Sequence, residues 1–301
     1  MKRLGIFLAT TFILTWSLEF ILMANGGYSN PYLIFILSGV MLIPAISVVI
    51  TRLITHEGFK KFGLKPHFKG NIKYYLMAWF GPSVLILTGA ALYFLIFPAH
   101  FDPTMSSITQ VYQAQGIDVT ASSMTTIFIA QFAAGMLLSP VLNIITTLGE
   151  EIGWRGYLLP KLREHYSDRI AIVISGAIWG LWHAPIIAMG HNYGTGYPFY
   201  PWGGILAMIA FCLFIGSFFS YLVIRTKSVL PAAIGHGALN GFVGITAFFT
   251  IGDVSPFIGP MATGIIGGIG FIVVGTICYV LVGRQAKPHS INLNTVTAKT
   301  E

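Results

Sequence analysis

Charge is what this chain lacks. Only 9% of its 301 residues are Asp, Glu, Lys or Arg, against roughly 25% in a soluble domain, too few to clothe a water-facing surface. Cysteine is nearly absent as well. The two present, Cys212 and Cys278, sit inside apolar stretches, which excludes a disulfide framework and a CxxC metal pair and leaves both as small hydrophobes. Repeats, low-complexity tracts and a separable soluble domain are all missing. Collagen-like, disordered and secreted soluble classes are therefore excluded.

What is there is hydrophobic. Apolar residues make up 55% of the chain and the mean hydropathy is +0.76. A helix needs about 20 mostly apolar residues to cross roughly 30 Å of hydrocarbon. Eight such runs occur, at about 4–23, 32–50, 74–97, 124–148, 170–189, 202–224, 229–250 and 260–282. Helices are expected because lipid offers the backbone no hydrogen-bond partner, and the alternating ten-residue segments of a barrel are not seen. The expected fold is all-α: a polytopic integral membrane protein forming one transmembrane domain over 1–301, with about eight spans.

The net charge of +7 does not point to nucleic acid, because of where the cations lie. With the N-terminus placed inside and the loops alternating, all 17 Lys and Arg fall on the inner side, from Lys2 and Arg3 through Arg52, Lys60 and Lys61 to Arg284, Lys287 and Lys299. None falls in the outer segments around 24–31, 98–123, 190–201 or 251–259. This division follows the positive-inside rule and predicts both termini in the cytoplasm, with the cell membrane as the location. The first run resembles a signal peptide, but it is long and no clear A-x-A site follows, so it reads as a span. Its Glu19 lies close enough to the outer end to reach the interface. The outer segment 98–123 has room for a short surface helix, Tyr197–Trp202 reads as an interfacial aromatic belt, and 158–169 as an inner surface segment.

Three stretches carry polar residues that simple apolar packing does not require: Leu148–Tyr157 with Glu150, Glu151 and Arg155; Trp179–Pro185 with His183; and Leu230–Asn240 with His236. An ionisable group at the bilayer centre costs about 2.5–3.5 kcal/mol even on the mildest scale, so such groups face a bundle interior or a wet cavity and pair with one another. Glu151 and Arg155 stand four apart with the acid first, the favourable order for a helical ion pair. Glu150 is turned about 100° away from them and has no partner assigned in its own helix. His236 and Asn240 share one stripe, and Trp179 lies one turn before His183. Gly176, Gly180, Gly235, Gly237 and Gly241 flank the two histidines at spacings that let membrane helices approach closely. These features predict one polar cluster built by the fourth, fifth and seventh spans. His183 counts to a greater depth than the others, nearer 20 Å at 1.5 Å per residue.

A carboxylate and an imidazole in one cavity can take a proton from water and pass it to a leaving group. A second histidine and a carboxamide can hydrogen-bond the oxyanion that forms at a carbonyl. No serine or cysteine is compellingly placed as a nucleophile, which favours direct attack by water.

The set Glu150-Glu151-x-x-x-Arg155, Trp179-x-x-x-His183 and His236-x-x-x-Asn240 resembles the three motifs of the CPBP intramembrane proteases. That family includes the type II CAAX prenyl endopeptidases and bacterial relatives linked to bacteriocin processing or immunity. The resemblance covers a catalytic core of about 124–250, with Trp179 where phenylalanine is more usual. It implies an intramembrane endopeptidase acting near the cytoplasmic face on a membrane-associated peptide or a lipidated, CAAX-type protein. Glu150 and His183 would activate the water, His236 and Asn240 would stabilise the oxyanion, and Glu151, Arg155 and Trp179 would support them. The family is often labelled metalloprotease, and Glu150, His183 and His236 could supply a three-ligand Zn2+ site. With no HExxH present, a metal-independent, glutamate-based hydrolysis with no cofactor is the expected chemistry. The rivals are a proton-coupled carrier, which intramembrane Glu and His would also suit, and a non-catalytic immunity protein with an inherited pocket. The implied partners are the substrate and the lipid bilayer.

Overall fold

The computed structural model describes residues 2–59 and 62–283. Lys60, Lys61, Arg284, Lys287 and Lys299, which contribute to the predicted charge division, lie outside the described residues. Among those described, the regular structure is helical, with one isolated antiparallel bridge between Phe101 and Thr250. The helices are α1 (Lys2–Ala24), α2 (Leu33–Ile54), α3 (Ile72–Ile96), the short α4 (Ser106–Ala114) and α5 (Ala121–Ala133). They continue with α6 (Ser139–Leu142), α7 (Ile144–Gly153), α8 (Leu159–Arg163), α9 (Asp168–Trp182), α10 (Ala184–Ile187), α11 (Trp202–Thr226), α12 (Leu230–Phe242) and α13 (Ile269–Gly283).

Among the described residues, six helical stretches are long and apolar enough to cross a bilayer: Lys2–Ala24, Leu33–Ile54, Ile72–Ile96, Ser122–Leu142, Trp202–Thr226 and Leu230–Phe249. The chain is thus a multi-pass membrane protein. The other two predicted runs correspond to shorter helices. The run at 170–189 is divided between α9 and α10, and that at 260–282 becomes helical only at Ile269. The segment 98–123 does carry a short helix, α4.

Proline shapes the stretch between α5 and α10. Two wide, five-residue π turns, Ala134–Leu138 and Trp154–Leu158, each end two residues before a proline, Pro140 and Pro160. A proline inside a helix lacks an N–H and its ring crowds the carbonyl four residues back; a locally widened turn accommodates both. Pro185 has the stronger effect. It has no N–H for the Leu181 carbonyl, and α9 stops at Trp182 with His183 as its capping residue. The neighbouring Trp182 carbonyl is taken instead by the Trp16 indole N–H of α1 at 3.1 Å.

The Lys- and Arg-bearing ends are tied to one another. Glu57, which follows α2, meets Lys161 of α8 at 2.6 Å and Arg3 of α1 at 3.8 Å, and accepts from the Tyr157 hydroxyl at 3.0 Å. Partial burial pushes the Glu57 carboxyl up, but these donors outweigh burial and hold it below the usual glutamate range. Arg225, near the end of α11, donates to Tyr74 near the start of α3 at 2.9 Å. The opposite end carries the Tyr28–His191 hydrogen bond, 2.6 Å.

Close backbone approach positions the site-bearing helices. Gly149 and Gly153, one turn apart on α7, rest on α2. A Cβ at Gly149 would stand 2.7 Å from the Met41 carbonyl oxygen, and one at Gly153 would run into Pro44. In the same way Gly176 and Gly180 press α9 onto the α11 backbone, and Gly237 and Gly241 press α12 onto Ser139 and Pro140. The small-residue spacing read from the sequence therefore marks real contacts. Aromatic rings fill the space between: Phe7 stands edge-on to Trp154 (6.1 Å between centroids), and Trp154 edge-on to Trp182 (5.7 Å). Gly149→Ala and Gly153→Ala are each expected to cost about 1–3 kcal/mol by overpacking, lowering the unfolding temperature in detergent. Gly5→Ala, whose Cβ meets nothing within 4 Å, is expected not to lower it.

Candidate active site

Glu150 and Glu151 are consecutive on α7 and both buried, at 2% and 0% exposure. Two adjacent carboxylates in an apolar bundle need donors in different directions, since successive helical residues diverge by about 100°. Glu150 finds indoles. Its Oε2 accepts from Trp179 Nε1 at 2.9 Å and from Trp154 Nε1 at 3.2 Å. Trp154 is in fact a partner within its own helical run, four residues on, and the sequence reading missed it. The spacing that identified Glu151 and Arg155 could have identified this pair.

Glu151 turns the other way. Its Oε1 accepts from Arg155 Nη1 at 2.9 Å and meets His236 Nδ1 at 3.0 Å. The Arg155 guanidinium lies over the Trp179 ring, 4.2 Å from its centroid, and Phe219 stacks on His236 at 5.9 Å. Glu151, paired with Arg155, holds the His236 imidazole by one nitrogen. A carboxylate accepts, so Nδ1 carries hydrogen and Nε2 is the free nitrogen.

His183 is held similarly. Its Nδ1 lies 2.8 Å from the Trp179 backbone carbonyl, which can only accept, so Nδ1–H points there and the neutral ring keeps a lone pair at Nε2. Trp179 walls the ring at 5.9 Å and Trp182 stands edge-on at 4.8 Å. His183, the deepest by simple counting, nevertheless lines the same cavity as the others. Trp179 therefore serves both halves of the site: its indole holds Glu150 and its carbonyl holds His183.

Glu150, His183, His236 and Asn240 all line one cavity of about 310 Å³. Much of the rest of its wall is apolar, including Met41, Trp182, Met208, Phe211 and Leu239. The predicted cluster of three helical stretches is present, on α7, at the end of α9 and on α12. The cavity extends beyond the predicted cluster. Glu19 also lines it and is 1% exposed, so it does not reach the outer interface as expected. It stands seventeen residues beyond Lys2, about 25 Å along α1 at 1.5 Å per residue. His191 and Asn192, from the turn after α10, also line the cavity. An acid on an apolar helix was the available signal for Glu19. His191 and Asn192 reach the cavity only because the chain turns back after Pro185, which the sequence pattern does not show.

Among the described residues no three His, Cys, Asp or Glu side chains group closely enough to hold a metal ion, so Glu150, His183 and His236 do not form a ready zinc triad here.

Residues 131–242 match the family model described as type II CAAX prenyl endopeptidase Rce1-like, a stretch that contains all three motifs. Over a longer range the chain is similar to CAAX prenyl protease 2 of Methanococcus maripaludis. The two are 24% identical over 242 residues, covering 78% of this chain and 82% of that protein.

Trp154→Phe and Trp179→Phe keep a ring in place but each remove one donor from the buried carboxylate. Each is expected to cost about 1.5–3 kcal/mol, as hydrogen bonds to charged groups do. The double variant is expected to lose more than the sum, because it leaves Glu150 with neither indole donor; unfolding in detergent reads all three.

Proposed function

We propose, on the premise that this chain belongs to the Rce1-like family of type II CAAX prenyl endopeptidases, that it is an intramembrane endopeptidase using a water molecule as nucleophile. The observation that carries this reading is the shared cavity wall of Glu150, His183, His236 and Asn240, with two of the four oriented by the single residue Trp179. The substrate class is a membrane-associated or lipidated peptide, CAAX-type in chemistry. Such a substrate suits a cavity whose wall is mostly apolar and lies within the bundle. The location is the cell membrane, with both termini in the cytoplasm, as the distribution of Lys and Arg indicates.

The proposed sequence of events uses only these side chains. A water molecule in the cavity donates one hydrogen to the Glu150 carboxylate and the other to His183 Nε2. Glu150 removes a proton as the oxygen attacks the carbonyl carbon of the scissile amide. The new C–O bond pushes the carbonyl electron pair onto oxygen. Asn240 donates its amide N–H to that oxyanion, and His236 donates from Nε2 in the form that carries hydrogen on both nitrogens, Nδ1 remaining on Glu151 Oε1. Collapse breaks the C–N bond, and the proton held by Glu150 passes to the leaving amine. The products are an amine and a carboxylic acid, which keeps the second hydrogen of the water until it ionises, and no covalent enzyme intermediate forms. Preset donors in a site poor in water account for the catalytic use of groups that are otherwise costly to bury.

Glu150→Gln nearly preserves shape and keeps an acceptor for the indoles while removing the base. It is expected to reduce cleavage of a quenched lipopeptide by at least 10²–10⁴-fold, and Asn240→Ala by about 10²–10³-fold, both with folding intact. Wild-type rates in Glu150→Gln would overturn the proposal in favour of a carrier or a non-catalytic immunity protein. Stoichiometric zinc in purified protein, whose removal abolishes turnover, would replace the metal-independent mechanism.

A further inference from the structure

Glu19 has no role in the mechanism above, yet it is among the most unusual residues in the bundle. It lies outside the stretch 131–242 matched to the family, on α1. It is buried, and its Oε2 has no hydrogen-bond partner; no partner is recorded for Oε1 either among the described residues. An intramembrane carboxylate is costly and normally pairs, and the structural explanations available elsewhere fail here. Glu57 has Lys161 and Arg3, Glu151 has Arg155, and Glu150 has two indoles. Glu19 has only the cavity.

The composition of that cavity states what would satisfy it. Among the described residues its wall carries two carboxylates, Glu19 and Glu150, and no Lys or Arg. The remaining ionisable groups are imidazoles, of which His183 and His236 are each committed at Nδ1 to a partner outside the cavity space. His191 Nδ1 is likewise occupied, by the Tyr28 hydroxyl. A buried carboxylate without a partner is satisfied by a guest that brings a positive charge and its own donors, and a wall without Lys or Arg leaves room for such a guest. Glu150 is bound to its two indoles and, in the proposed reaction, to water, which leaves Glu19 as the acceptor for such a guest.

We infer that Glu19 forms a second subsite of the cavity that takes a cationic group of the bound peptide, a lysine or arginine side chain near the scissile bond. This inference rests on the peptidase reading for the scissile bond but not for binding. A polar site built to pair a substrate group discriminates strongly against an analogue that lacks it, because its own buried group is then left unpaired. Glu19 is accordingly a specificity-determining residue, and it positions the peptide without entering the bond-making steps.

The test uses quenched peptides in nanodiscs, with one lysine scanned along either side of the cut bond and a glutamine in its place as the matched control. Cleavage and equilibrium binding are measured for wild type and Glu19→Gln. At one position wild type is expected to favour lysine by tenfold or more in kcat/KM, chiefly through KM. Glu19→Gln is expected to erase that preference, with an unfolding temperature in detergent no lower than that of wild type. That temperature shows that the variant is folded; Glu19→Asp is expected to restore part of the preference. No lysine preference at any position, or an equal loss on both peptides in Glu19→Gln, would overturn the inference. A Glu19-dependent preference in binding with no cleavage of any peptide would uphold the subsite and defeat the peptidase reading. Cleavage without the preference would do the reverse.

Discussion

Two consecutive carboxylates buried among apolar helices set the terms for this structure. Lipid and hydrocarbon side chains offer Glu150 and Glu151 nothing, and an unpaired ion in that medium shifts or expels itself. The bundle must therefore deliver hydrogen-bond donors from two directions at one level of α7. Trp154 and Trp179 serve Glu150, while Arg155 and His236 serve Glu151. Most of the site's geometry follows from these four bonds. His236 is placed because Glu151 needs it, and α9 stands where it does because the Trp179 indole must reach Glu150.

The bonds are possible only because the helices come unusually close. Glycines at one-turn spacing put α7 on α2, α9 on α11 and α12 on α6, each with backbone where a side chain would otherwise stand. Small-residue contacts of this kind are how membrane helices associate without a hydrophobic driving force. They also fix rotation about the helix axis: with Gly149 and Gly153 against α2, Glu150 has a defined direction in which to point. Prolines contribute the other adjustment. The π turns before Pro140 and Pro160 and the break before Pro185 change the phase and depth of residues that an ideal helix would have placed apart.

The elements that could be read from the sequence were those governed by local spacing. Glu151 and Arg155 pair as a four-residue step predicts, the glycine stripes are contacts, the segment 98–123 carries the helix α4, and Glu150, His183, His236 and Asn240 line one wall. What escaped was set by departures from ideal helices. His191 and Asn192 reach the cavity only because the chain turns back after Pro185. Glu19 counts as interfacial because its position along α1 says nothing of what covers it from α2 and the turn after α10. Trp154 was missed for a different reason: a tryptophan on an apolar helix reads as packing, although its N–H must bond somewhere once buried. Its i, i+4 relation to Glu150 was available and unused.

The central claim is that Glu150 and His183 act on one water molecule and so function as a unit. Residues acting as a unit are strongly non-additive in their kinetic effects, whereas independent contributions multiply. The most direct measurement is a double-mutant cycle in kcat/KM with Glu150→Gln and His183→Gln on a cleaved membrane peptide. The account predicts that the double variant is slowed by about the same factor as the worse single variant. Losses that multiply across the two substitutions would contradict it.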